Sequence, residues 1–407
     1  SKNPLGTFPR GQHAQFNNVN GGEINDNFGE SITGQSDQED AINVFNSDNI
    51  VVARNYIVGG DSPSGCGVIA DWSGGTNNQL IDNIVIRTAQ CGVAIAGGTN
   101  HVIRGNKVLD TNITGGSGNI GIYVANYSGG VCSGHSAVNN IVSNLLPNGT
   151  YNDYYNAGSC GPVTTSGNIF GSTARSLLTP ENQKLPTPTP LPTIGPVPAT
   201  PTPTPTTTPV SCGTSLQSKI DAAPAGATVD LGTCTYTGTA ASLNITKPVT
   251  ILRGTLKPSG FDAVSIRAND VTIDGTTFDG GGWTIKVYGV DRTKILNSIF
   301  RNMRETSIRL VGPSVDDMLI QGNTIIQSVN TGTGYSPISG VGPGAMNKNL
   351  IIRGNTIDNG PAGIAHFGVE VWDNIGLIIE GNNIKGAGAL ISIPRSDGTI
   401  VRNNTFD

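Results

Sequence analysis

One short phrase recurs through most of this 407-residue chain and decides what it can fold into. It reads apolar-x-apolar, a short turn, apolar-x-apolar, then Asn-x-apolar. Early copies close at Asn55-Tyr56-Ile57, Asn83-Ile84-Val85, Asn106-Lys107-Val108, Asn140-Ile141-Val142 and Asn168-Ile169-Phe170. Later ones run from Ile285-x-Val287 to Ile295-Leu296-Asn297-Ser298-Ile299 and from Ile308-x-Leu310 to Ile320-Gln321-Gly322-Asn323-Thr324-Ile325. They continue to Asn355-Thr356-Ile357, Asn382-Asn383-Ile384 and Asn404-Thr405-Phe406. Within each half the asparagines return every 22 to 34 residues. Short strands with period-2 alternation cannot bury an apolar face alone, but coils stacked at about 4.8 Å bury it continuously and pair every backbone group. The recurrent Asn then has two jobs: it takes the left-handed backbone of a sharp corner, and its amide bonds to the Asn one coil away. A leucine-rich horseshoe would need a Leu-x-x-Leu-x-Leu framework, which is absent.

Composition agrees with many short strands and tight turns rather than a helical globule. The chain is 36% hydrophobic, 13% charged and 5% aromatic, and it has 56 glycines. Its net charge of −5 recruits neither nucleic acid nor an anionic membrane surface. No apolar run is long enough to span a bilayer, so no membrane insertion is expected. Ser1, with no Met before it, is read as the start of a processed product. Six cysteines fall into neighbouring pairs about one coil apart, Cys66-Cys91, Cys132-Cys160 and Cys212-Cys234, so that stacked coils bring each pair to bonding distance. Three disulfides imply an oxidising compartment, and the expected location is extracellular or at the cell surface.

On these residues the sequence resembles the right-handed parallel β-helix repeat proteins of the pectate-lyase-like superfamily. The expected fold is all-β, a right-handed parallel β-helix (β-solenoid). The segment from Thr214 through Ile220, Ala222, Pro224 and Gly226 to Val229 is similar to that family's N-terminal cap, with a short amphipathic helix near 214–222. The family mixes lyases, hydrolases and inert structural proteins. The resemblance therefore implies a fold but no single activity.

Residues 186–210 alternate Pro with Thr and small residues, and such a stretch cannot pack a core; it reads as an extended linker. The expected domains are 1–185, a β-helix block without an N-terminal cap, and 211–407, a capped block with an open C-terminal end. The cap thus stands in the second block, and joining residue 407 to residue 1 completes one coil. Two open edges in matching register should stack, either within one chain or between chains. The between-chain arrangement is favoured because it leaves the linker slack. It would give a secreted structural or surface protein that stacks head to tail into a filament or extended array, with itself as partner. The expected seam is Arg10, Phe16, Ile24, Asn27, Ile393, Ile400, Asn404 and Phe406.

The alternative is a carbohydrate-active β-helix enzyme, a polysaccharide lyase or glycosidase, or a glycan-binding module. The resemblance implies chemistry on the outward strand face, from carboxylates that hold calcium or act as acid and base. Asp270, Asp274, Asp279, Asp316 and Asp317 are read as solvated corner residues. The richest polar group gathers Arg10, His13, Gln15, Glu39 and Asp40 with His366, Glu370, Trp372 and Asp373. There Glu39 or Asp40 would serve as acid or base and Arg10 as oxyanion partner. His13, His366, Glu370 and Trp372 would bind the ligand, with Trp372 as the sugar platform. The structural reading of this group outweighs the catalytic one. No cofactor is expected, and calcium enters only with a lyase.

Overall fold

The computed structural model describes residues 11–31, 39–60, 62–72, 75–88, 90–111, 119–178, 212, 215–260, 262–312, 314–326, 336–340, 346–358, 367–386 and 389–406. The linker expected at 186–210 lies outside them. The described residues form two compact units, one from 1–187 with 385–407 and one from 188–360 with 364–384.

In the first unit a coil comprises three short strands, for example Ile42–Phe45, Asp48–Ala53 and Tyr56–Val58. Alternation turns Ile42, Val44, Ile50, Val52 and Ile57 inward, and all are fully buried. Each sits on its equivalent in the next coil: Ile42 pairs with Val68, Val52 with Leu80 and Ile57 with Val85, all in parallel register. The first strands of successive coils stack in the order Ala389–Pro394, Ala14–Asn17, Ile42–Phe45, Cys66–Asp71, Cys91–Ile95, Ile120–Val124 and Tyr154–Asn156. A helix, Gly171–Leu177, follows the last coil, and its Arg175 is bonded to Asp110 at 2.9 and 3.1 Å.

The seam foreseen between residue 407 and residue 1 closes here within one chain. Phe16 pairs with Ile393, Ile24 with Val401, Glu23 with Ile400, and Gly29 with Phe406. Asn404 Nδ2 donates to Asn27 Oδ1 at 3.0 Å. The last coil, residues 385–407, packs with the first unit, its backbone groups paired with residues 14–29. Within this chain the two ends stack on each other in the register expected from the sequence. Arg10 lies outside the described residues.

In the second unit Leu243–Ile245, Asp262–Ile266, Trp283–Tyr288, Ile308–Val311, Ile338–Gly340 and Phe367–Val371 stack in parallel. The helix Leu216–Ala222 caps it, with Leu216 and Ile220 buried. Gln217 both accepts from the Asn244 N–H at 2.7 Å and donates to the Asn244 carbonyl at 3.0 Å, so the helix satisfies an otherwise open rung. All three disulfides form, with Cα separations of 4.4, 4.4 and 5.4 Å for Cys66–Cys91, Cys132–Cys160 and Cys212–Cys234.

The two jobs assigned to the recurrent asparagine are split between neighbours. In the first unit Asn404, Asn27, Asn55, Asn83, Asn106, Asn140 and Asn168 form one amide ladder, buried except at the half-buried Asn168, each donating to the next at 2.9 to 3.1 Å. The left-handed backbone belongs to the residue before each: Asn403, Asp26, Arg54, Asp82, Gly105, Asn139 and Gly167. The same division corrects the phrase at 297–298. Asn297 takes the corner at φ 46°, while Ser298 takes the ladder place, bonded by Thr276 N–H and itself donating N–H to Asn323 Oδ1.

Candidate functional site

On the outward face of the first unit, where alternation puts the side chains between the core residues, lies a groove of about 460 Å³. Its floor comes from Ala14–Asn17, Ile42–Phe45 and Cys66–Asp71 together with the turns that precede them. Asn43 stands between inward Ile42 and Val44, and its Nδ2 donates to Asp40 Oδ2 at 2.8 Å and to Asp71 Oδ2 at 3.1 Å. One amide thus holds two carboxyls side by side. Asp40 Oδ1 also accepts from the Cys66 N–H at 2.8 Å.

Burial, the Asp71 charge and then Glu39 push the Asp40 carboxyl up from its ordinary 3.8 to about 8, against the hydrogen bonds from Cys66 and Asn43. Asp71 is pushed up by burial too, and is held down by Asn43 and by the Trp72 N–H. At neutral pH the pair therefore keeps a proton on Asp40. Because Nδ2 is spent on the carboxyls, Asn43 presents its Oδ1 as an acceptor. That oxygen and Gln12 Oε1 are both buried and find no donor among the described residues. Two orphaned acceptors in a groove are a site for a ligand's N–H or O–H groups.

Aromatic rings flank the carboxyls. Trp72 is 49% exposed, stands 5.5 Å from Phe45, and holds φ at 71°, a conformation a bulky residue adopts only when its surroundings impose it. Tyr127 also lines the groove. Its hydroxyl is shifted upward by burial first, then by its bond to Tyr123 and by the Asp71 and Asp40 charges.

Of the residues that the sequence grouped, three line the groove. Glu39 and Asp40 lie in the groove, with Ser64 Oγ donating to Glu39 at 3.3 Å, and Gln15 lines it as well. His13 does not: it is fully buried, stacked on Phe406 at 5.6 Å, and burial lowers its pKa well below the usual value. A buried ring in the core has no face to offer a ligand. Glu370 and Trp372 belong to the second unit and bond to each other, Nε1 to Oε1, at 3.0 Å. Asp373 takes a left-handed corner there at φ 56°. His366 and Arg10 fall outside the described residues. Asp270 is paired with Arg292, Asp279 with Arg301 and Lys257, Asp274 accepts from Asn297, and Asp316 and Asp317 accept from the Lys348 N–H and from Asn349. These are rung-to-rung ties. Sequence reasoning missed Asn43, Asp71, Trp72 and Tyr127.

Among the described residues one cluster has metal-ligand atoms close enough together: Cys132, His135 and Cys160. Both sulfurs are spent in a disulfide. His135 Nδ1 accepts the His101 N–H at 3.1 Å, so the neutral ring carries its proton on Nε2, directed at Cys132 Sγ 3.3 Å away. Neither nitrogen has a lone pair to spare for a metal.

Residues 239–406 match the family described as a right handed beta helix region. The chain has the right-handed parallel β-helix fold. Similar solved structures include PfbA, a surface adhesin of Streptococcus pneumoniae, at 10% identity over 93% of this chain and 85% of that one, with a TM-score of 0.25. They also include the alginate lyase AlyGC, at 13% identity over 98% and 82%, with a TM-score of 0.22. At those scores neither bears on activity. No curated protein matches the sequence.

Proposed function

We propose that this is an extracellular carbohydrate-active β-helix protein that hydrolyses glycosidic bonds in the groove, with Asp40 as general acid and Asp71 as its carboxylate partner. The observation that carries the reading is the Asn43 amide between the two carboxyls. Its bonds of 2.8 and 3.1 Å keep the two oxygens within about 6 Å, below the spacing that leaves room for a water in inverting enzymes. Hydrolysis with retention of the anomeric centre follows from that separation. Asp40, kept protonated by burial and by the charges around it, donates to the leaving oxygen. Asp71, on the exposed side of the pair, attacks the anomeric carbon as the glycosidic C–O bond breaks; water, giving its proton to Asp40, then displaces Asp71 and releases the sugar. Trp72 supplies an apolar face for a sugar ring. Glu39 acts through its field, raising Asp40. Three disulfides suit secretion.

The test is reducing-end release from a panel of polysaccharides, with NMR of the first-formed anomer. Asp40→Asn should lower the rate by about 100-fold or more with the melting temperature retained. An intact protein that releases no ends, or an Asp40→Asn variant as fast as wild type, overturns the assignment. Unsaturated products that vanish with a calcium chelator would replace it with lyase chemistry.

End-to-end assembly remains a second reading, favoured by one observation. The seam is built from opposite ends of the chain, residues 14–29 and 391–406, so a second copy can supply the same strands by exchange.

A further inference from the structure

The described residues that line the groove include Glu39, Asp40 and Asp71 and no cation. Asp71 and Glu39 both push the Asp40 carboxyl upward, so the field on the groove floor is negative. Two further oxygens on lining residues are buried without a donor among the described residues: Asn43 Oδ1 and Gln12 Oε1, where the residues are 3% and 8% exposed. They stand on adjacent rungs, since Gln15 pairs with Asn43. The Glu39 N–H donates to the Gly11 carbonyl at 3.2 Å, which sets Glu39 next to Gln12. A buried acceptor left without a donor is costly, and a fold that keeps two of them beside a carboxylate suits a ligand rich in N–H donors. A sugar hydroxyl brings one donor and a carboxylate none, whereas an ammonium brings three donors and a positive charge. Trp72 and Phe45 form an aromatic wall 5.5 Å apart, and aromatic faces attract an ammonium. A metal bridging Asp40 and Asp71 is disfavoured, because the Asn43 Nδ2 hydrogens already join those two carboxyls.

We propose that the groove selects a ligand with a primary ammonium group, an amino sugar whose nitrogen is unacylated, and holds that nitrogen among Gln12 Oε1, Asn43 Oδ1 and the Glu39 carboxylate. The inference rests on the reading of the groove as a glycosidic site and adds the charge and the functional group of its substrate. Three N–H donors then meet three acceptors. The positive charge sits beside Glu39 rather than on Asp71, which stays available to attack. An N-acetylated ring offers one amide N–H and no charge, and a uronate brings a carboxylate that the same field repels.

The experiment is calorimetric binding to the full chain at about pH 6, where a sugar amine carries its proton. It uses the Asp40→Asn background, which keeps that side chain neutral and consumes nothing. The probes are tetramers of glucosamine, N-acetylglucosamine, glucose and galacturonate, with tetralysine and spermidine as amines that lack a sugar. The glucosamine tetramer should bind at least about tenfold tighter than the N-acetylated and glucose tetramers, and the gap should narrow in about 1 M salt. Glu39→Gln should close most of that gap and leave the affinity for the N-acetylated tetramer unchanged. Gln12→Met, which removes one acceptor at similar volume and no charge, should weaken the glucosamine tetramer about fivefold, and it provides the readout should Glu39→Gln unfold. Equal affinity for the free and acylated amines, preference for galacturonate, or a gap that survives both variants overturns the ammonium assignment and leaves the groove reading standing. Tetralysine or spermidine bound as tightly as the glucosamine tetramer overturns the sugar assignment. Absence of binding by every sugar defeats the groove reading and the inference with it.

Discussion

Asp40 illustrates how one coil sets the chemistry of a residue on its neighbour. Its pKa rises because a backbone turn buries it beside Asp71, and the hydrogen bonds from Cys66 and Asn43 do not offset that. The folded state then binds a proton more tightly than the unfolded chain. The stability Asp40 contributes is complete below about pH 4 and is lost as pH climbs towards 8. His101 and His135 act in the other direction. Burial lowers them from 6.5 to about 3 and about 4, so their stability is present above 6.5 and is lost as pH falls. Of these groups, only Asp40 changes above pH 6.5. Thermal midpoints of the wild type should therefore drop between about pH 6.5 and 8.5, and Asp40→Asn should remove most of the drop. A wild-type midpoint that is flat over that window contradicts the burial of Asp40. Glu39 and Asp40 were legible in the sequence as adjacent acids in a polar segment. Asp71 and Asn43 were not, because their meeting depends on the register between Asn43 and Ile69 and between Phe45 and Asp71, which loop lengths obscure. Aligning Ile42–Phe45 on Val68–Asp71 by their alternation is the signal that would have found them.

At the level of elements, the asparagine ladder is what made the fold readable, since a buried amide that must find partners above and below repeats at every coil. Asn83 shows the requirement in full. Its Oδ1 accepts from the Asn55 N–H and Nδ2, and its Nδ2 donates to Asn106 Oδ1 and the Val52 carbonyl. Truncation orphans groups on the two neighbouring coils. Asn83→Ala should cost about 3 kcal/mol by urea denaturation, and Asn83→Ser distinctly less, because Ser298 fills the same place in the second unit with one hydroxyl. An alanine variant within about 0.5 kcal/mol of wild type would mean the ladder is not a stabilising element. The sequence phrase misplaced that rung at Asn297 for the same reason. Corner and ladder residues are neighbours, both are often Asn, and only the backbone angle tells them apart. The cap helix was legible from its amphipathic pattern, whereas Gly171–Leu177, short and with Ala174 its only buried residue, carries no such pattern.

For the molecule as a whole, closure of the last coil on the first links the fold to the proposed function. The Gln12 carbonyl, beside the groove, accepts the Leu390 N–H at 2.7 Å, and Gln15 pairs with Ser392. The strand that floors the groove is thus held from outside by residues near the other end of the chain. Sequence arithmetic at the termini found the matching register but could not choose between one chain and two, because both satisfy the same backbone bonds. The choice is measurable at Glu23 and Ile400, register partners on an exposed part of the seam, in a chain whose described cysteines are all in disulfides. Glu23→Cys with Ile400→Cys, oxidised and weighed under denaturing conditions, should give a cross-linked species of single-chain mass in high yield. Covalent dimers and longer ladders, or two thiols that stay free, would contradict closure within the chain and remove the support on which the groove depends.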